Sequence, residues 1–241
     1  MKAKVAVVLL AGCLAGAAYA ADARPALEPF AAEYAVKYSS FSVGNSRLEL
    51  RRDAEPGHWT VESRADASGL ARLVASGTVL QRSRFVVIDG VVRPVSFKFD
   101  DGMERSKQDT SLEFDWATGR VTGVAKGEPV DLPTVPNAQD PVSIQMATMV
   151  ALMGGGQPGE IPLIEGPEVK RYVYTFERAE RIETRAGTYD TLVYRSAREG
   201  SDREAYLWLA PSLGYLAVRI EQQRKGRRLI GMTLTRYTPG T

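Results

Sequence analysis

The 241-residue sequence contains one cysteine and one histidine. A single cysteine forms no internal disulfide, and the pair cannot build a Cys/His zinc cluster. No Gly-x-Ser-x-Gly occurs, so the nucleophile elbow of α/β-hydrolases is absent. Neither charge sign is in excess: 31 Lys and Arg stand against 29 Asp and Glu, which leaves no electrostatic footprint for nucleic acid. No apolar run reaches the ~20 residues that a membrane-spanning helix needs. At 44% hydrophobic and 25% charged, the composition is that of a folded domain, which excludes disorder, collagen and coiled coil.

What is present begins with an address. Lys2 and Lys4 precede the apolar run Val5 to Ala18, and Ala18-Tyr19-Ala20 forms a small-x-small cleavage signal. Residues 1–20 are expected to be a signal peptide, 21–29 a linker and 30–237 a single domain. Removing 1–20 takes away two lysines and no acid, so the mature chain is neutral. Leu10-Ala11-Gly12-Cys13 carries an alternative, since small residues ahead of cysteine resemble a bacterial lipoprotein signal. Cleavage before Cys13 would leave a lipid anchor. The first reading gives a soluble periplasmic protein, the second a membrane-anchored one.

Period-two alternation dominates the mature chain. Leu48 and Leu50 alternate with Arg47, Glu49 and Arg51; Val95, Phe97 and Phe99 with Ser96, Lys98 and Asp100; Leu112, Phe114 and Trp116 with Ser111, Glu113 and Asp115. The pattern returns in Leu216-Val218-Ile220 and Ile230-Met232-Leu234. Turn signals such as Asp89-Gly90, Thr118-Gly119 and Lys225-Gly226 separate these runs. About a dozen strands in an antiparallel meander are expected.

One segment breaks the rhythm. Asp140-Pro141 predicts an N-cap and first helical position, an almost wholly apolar stretch follows to Met153, and Gly154-Gly155-Gly156 ends it. A helix over 141–153 that is apolar on nearly all sides belongs in an interior. Residues 127–141, with four prolines, and 157–167 read as irregular crossovers on either side. The expected fold is all-β and mainly antiparallel, a large curved sheet or incomplete barrel around one buried helix. A dozen strands curled into a barrel need such a filler or a bound apolar ligand. The alternative is a two-sheet sandwich.

Chemistry is sparse. His58 sits in a turn with no second metal ligand nearby in sequence. Asp100, Asp101 and Glu104 lack the spacing of a calcium loop and fit a hairpin tip, so no metal site is assigned. The triple glycine follows a helix, whereas a phosphate-cradling loop precedes one. No catalytic residues, cofactor or nucleic-acid partner are assigned, and the chain is expected not to be an enzyme. Arg224, Lys225, Arg227 and Arg228 cluster at one hairpin tip, either as a solvated turn or as a contact for anionic lipid headgroups. Phe97, Phe99, Phe114, Trp116, Tyr172 and Tyr174 lie on strands, and Met146, Met149 and Val150 on the helix. These nine are either core or the lining of an apolar cavity. Both faces of Glu204-Ala205-Tyr206-Leu207-Trp208-Leu209 are apolar, so that strand is expected to be covered on both sides.

Several pieces recur in a recognisable order: Phe30-Ala31-Ala32-Glu33-Tyr34, Arg93-Pro94 leading to Phe97, Phe114-Asp115-Trp116, Asp140-Pro141-Val142-Ser143, Gly187-Thr188-Tyr189, and Leu207-Trp208-Leu209 ahead of Val218-Arg219-Ile220. Together they resemble the exported bacterial proteins of domain-of-unknown-function family 3108, over most of 30–237. The resemblance implies an envelope location and a mostly β fold, and it brings no catalytic residues. In general shape the expected fold is also similar to periplasmic lipoprotein carriers. The functional expectation is binding of a hydrophobic envelope molecule, a lipid or lipidated peptide, without catalysis. An envelope scaffold with a filled core and a carboxylate-based hydrolase are the alternatives.

Overall fold

Ser46, Leu48 and Leu50 are buried while Arg47 is exposed, and this alternation recurs strand after strand in a computed structural model that describes residues 26–68, 77–103 and 108–240. The expected signal peptide, Cys13, most of the linker and Glu104 lie outside the described residues. The first strands are β1 (Phe30–Tyr38), β2 (Phe41–Arg52), β3 (His58–Ala67), β4 (Thr78–Ile88) and β5 (Val91–Asp100). The shorter β6 (Thr110–Asp115), β7 (Arg120–Ala125) and β8 (Glu128–Pro133) follow, then the helix α1 (Ser143–Met153). After it come β9 (Glu160–Ile164), β10 (Val169–Thr184), β11 (Gly187–Ala197), β12 (Arg203–Ala210), β13 (Leu216–Arg224) and β14 (Arg227–Pro239).

All fourteen strands form one sheet in the order β8-β7-β6-β5-β4-β3-β2-β1-β14-β13-β12-β11-β10-β9. Strand neighbours in the sheet are neighbours in sequence at every step but one, where β1 pairs with β14 and joins the two ends of the chain. The sheet is curled and unclosed: β8 and β9 are its free edges, and the connection between them carries α1. That connection is stitched to β9 where the Gln139 N–H donates to the Pro162 carbonyl and the Ile164 N–H to the Gln139 carbonyl, each at 2.8 Å.

Two stretches read as irregular therefore contain short strands, and proline explains why the pattern concealed them. Pro129, Pro133 and Pro162 lack the N–H that a central strand would need. β8 and β9 each have only one full neighbour in the sheet, so their other edges have no ladder to complete.

The helix also begins later than Asp140-Pro141 suggested, at Ser143. Asp140 nevertheless caps it. Its Oδ1 accepts the N–H groups of Val142 at 2.9 Å and Ser143 at 2.8 Å, while the Ser143 hydroxyl accepts the Asp140 N–H at 2.9 Å. This is a reciprocal capping box with serine in the place usually held by Glu. From the wall, Ser83 of β4 donates its hydroxyl to Asp140 Oδ2 at 2.5 Å, which fixes the start of the helix to the sheet.

The helix packs chiefly on β5 and β4. Met146 and Met149 join the main core with Phe30, Leu50, Val61, Phe85 and Phe97, and Leu152 joins a second cluster with Tyr174, Tyr194, Leu207 and Leu209. Alternate residues of β12 divide between the two, Trp208 and Ala210 in one and Leu207 and Leu209 in the other. Both faces of that strand are covered, as its composition suggested.

Candidate functional site

In an antiparallel meander successive hairpins fall at alternate ends of the sheet. The β4–β5 turn, with Asp89 at φ 52° and Gly90 at φ 75°, stands at the end where the C-terminal half of α1 emerges. Large helix side chains, Met146, Met149 and Leu152, are buried in the clusters. Ala147, Ala151 and Gly154, spaced i, i+4 and i+7 along another face, leave room beside them.

That room consists of two cavities. One, of about 680 Å³, lies between the helix residues Ala147 and Ala151, the wall residues Val91, Val92 and Trp116, and the crossover segment Thr134 to Asn137. The other, of about 650 Å³, lies between Val150 and Ala151 of the helix, the C-cap Gly154, and Leu27, Trp59 and Val87. Gly90 and Ala151 border both, so the two flank one constriction between the β4–β5 turn and the helix. We call the pair the mouth groove. Each volume is of the size that encloses a small apolar ligand.

Its polarity is concentrated. Among the described residues, Arg93 is the one charged residue lining the larger cavity and Asp89 the one lining the smaller. The Arg93 guanidinium lies 5.7 Å from the centre of the Trp116 ring, and Trp116 Nε1–H donates to the Pro94 carbonyl at 2.6 Å. The ring is thereby tied to the wall by its N–H, with the Arg93 cation over it.

The nine residues proposed from sequence are not gathered in one place. Trp116 lines the larger cavity of the groove and Val150 the smaller. Phe97 and Phe99 line a separate cavity of about 260 Å³ with Gln81, Thr110 and Pro141, near the start of the helix. Phe114, Met146 and Met149 are packed in the main core; Tyr174 and Tyr172 belong to the second cluster, where burial pushes the Tyr174 hydroxyl up. Sequence reasoning missed Ala147, Ala151, Gly90 and Arg93. The signal available was the run of small residues at 147, 151 and 154 within a helix of otherwise bulky ones.

Of the basic tip, Arg224 is paired with Asp202 at 2.8 Å and Arg228 with Glu221 at 3.2 Å. Asp100, Asp101 and Asp109 bring carboxylate oxygens within 4.8 Å of one another. Their oxygens are engaged in turn geometry: Asp100 Oδ1 accepts the Gly102 N–H at 2.7 Å and Asp101 Oδ1 the Met103 N–H at 3.0 Å.

The chain belongs to the family described as a protein of unknown function, DUF3108, whose profile matches residues 33–227. Among solved structures it is similar to a β-barrel-like protein of domain of unknown function DUF1849 from Brucella abortus. That likeness has 11% identity and a TM-score of 0.55, covering 89% of this chain and 98% of the other. A candidate exported protein with a YmcC-like fold from Bacteroides fragilis matches at 11% identity and a TM-score of 0.37, covering 89% of this chain and 97% of that one. A candidate lipoprotein from Parabacteroides distasonis matches at 12% identity and a TM-score of 0.37, with the same two coverages of 89% and 97%. No curated protein matches the sequence.

Proposed function

We propose that this member of the DUF3108 family is an exported, non-catalytic carrier that holds an acyl-chain-bearing envelope molecule in the mouth groove. One observation carries the reading. Two cavities of about 680 and 650 Å³ meet at Ala151, and the helix that fills the rest of the sheet turns small residues toward them. An aliphatic chain laid along Ala147, Ala151 and Gly154 gains contact with Val91, Val92, Trp59 and Leu27 and leaves water. Arg93, beside Trp116, is placed to receive an anionic end group. The crossover Thr134 to Asn137 forms one lip of the groove and is the segment that would move to admit a ligand.

The other readings find less support. Hydrolysis between two carboxylates requires a pair across a groove, and Asp89 stands alone among the described lining residues. A scaffold that pairs through strand addition needs a long free edge. The two edges here are six and five residues long and contain Pro129, Pro133 and Pro162.

The test is native mass spectrometry of the processed chain recovered from a Gram-negative envelope. The expected spectrum shows one additional lipid-like mass per chain, removed by organic extraction and restored by dispersed envelope lipids. A bare polypeptide mass both before and after that incubation would overturn the reading.

A further inference from the structure

The hairpin tips at the other end of the sheet carry a different chemistry. Tyr38 at the end of β1 pairs with Ile230 of β14, and the Ser39 N–H donates to the Leu229 carbonyl at 2.7 Å. The β1–β2 and β13–β14 tips are therefore side by side. Tyr38 is 54% exposed and Phe41 73%, the latter more than any other large apolar side chain among the described residues. Beside them, Lys225 and Gly226 form the β13–β14 turn, with Arg224, Arg227 and Arg228 around it.

Arg224 is paired with Asp202 and Arg228 with Glu221, whereas among the described residues no salt bridge engages Lys37 of β1 or Lys225 and Arg227 at the adjoining tip, all three exposed. Cations crowded on neighbouring tips repel each other, and an anionic surface placed against them converts that repulsion into attraction. Exposed aromatic rings beside a cationic tip match the layering of a bilayer surface, where rings settle at headgroup depth and phosphates lie beside them.

We propose that this end of the chain docks on an anionic phospholipid surface. Tyr38 and Phe41 enter the headgroup layer, and headgroup phosphates are met by Lys37, Lys225 and Arg227. The strand ends place the mouth groove on the far side, so the docked chain presents its groove away from the membrane. The site is separate from the groove, and neither reading depends on the other.

The experiment is co-flotation of the exported chain carrying Cys13→Ala, which removes any lipid anchor, with vesicles of phosphatidylcholine alone or with phosphatidylglycerol at three parts in ten. Expected is binding to the anionic vesicles only, weakening as salt is raised. Each surface cation contributes about fivefold to such partitioning. Lys37→Glu combined with Lys225→Glu should therefore lower it at least about twentyfold, and Phe41→Ser with Tyr38→Ser should abolish flotation. All four residues lie at the surface, so an unchanged unfolding temperature is expected for both double variants. Equal binding to both vesicle types, unchanged binding by the double charge reversal, or binding of inorganic phosphate without flotation would overturn the proposal.

Discussion

At the scale of the residue, Asp140 has the most concentrated set of interactions. Its carboxylate is fully buried and accepts hydrogen bonds from Val142, Ser143 and Ser83. Replacement by alanine removes a cap and strands buried donors, which should cost about 3 kcal/mol in urea unfolding. Asp140→Asn keeps an acceptor for the helix and should cost about 1 kcal/mol. Burial pushes the Asp140 carboxyl above its ordinary value of 3.8 despite the donors around it. The folded chain then binds the proton more tightly than the unfolded chain, so this group's contribution to stability declines as pH rises from the unfolded value toward the folded one. The stability advantage of wild type over Asp140→Asn should accordingly be larger at pH 4 than at pH 7; an equal or reversed difference would contradict the assignment. Asp140 as a cap was legible in Asp-Pro-Val-Ser. Its bond to Ser83 was not, because 57 residues separate the partners and no local pattern records which wall the helix meets.

At the scale of the element, the helix replaces a ligand as the filler of a curled sheet. Met146 is wholly buried in the main core, and Met146→Ala should cost about 2–5 kcal/mol in the same unfolding measurement. Gly123 of β7 has φ 148°, and a Cβ there would stand 2.0 Å from the Ser111 carbonyl oxygen of the adjacent β6. Gly123→Ala should therefore force the two strands apart and lower the unfolding midpoint. A midpoint equal to that of wild type would show that the close approach is not needed. Most strands were legible because one face is buried and the other solvated, as in Leu112 and Phe114 of β6 against Ser111 and Glu113. β8 and β9 were hidden by prolines that only an edge strand tolerates. The pairing of β1 with β14 was hidden for another reason: alternation tells which face of a strand is inward but not which strand lies beside it.

At the scale of the whole molecule, the meander divides its chemistry between two ends. One holds the mouth groove with Arg93 and Trp116, the other exposed aromatics beside a basic tip. The basic tip was legible as Arg224, Lys225, Arg227 and Arg228; of the groove only Trp116 and Val150 were singled out in the sequence. The aromatics that stand out there, such as Phe114, are consumed by the core, whereas the groove is defined by what is small, Ala147, Ala151 and Gly90. Tyr38 and the basic tip lie on hairpins distant along the chain, and only the pairing of β1 with β14 sets them side by side. On these two proposals the chain is membrane-docked and ligand-holding, with its groove at the end away from the membrane. The most direct test is a fluorescence titration of dansyl-labelled undecanoic acid into the exported chain and into Ala151→Trp, which fills the constriction shared by both cavities. The account predicts saturable one-to-one binding to wild type and affinity at least about tenfold lower in the variant, an indole in the groove displacing the chain contacts that drive binding. The absence of saturable binding to wild type, or equal affinity in the two proteins, would contradict it.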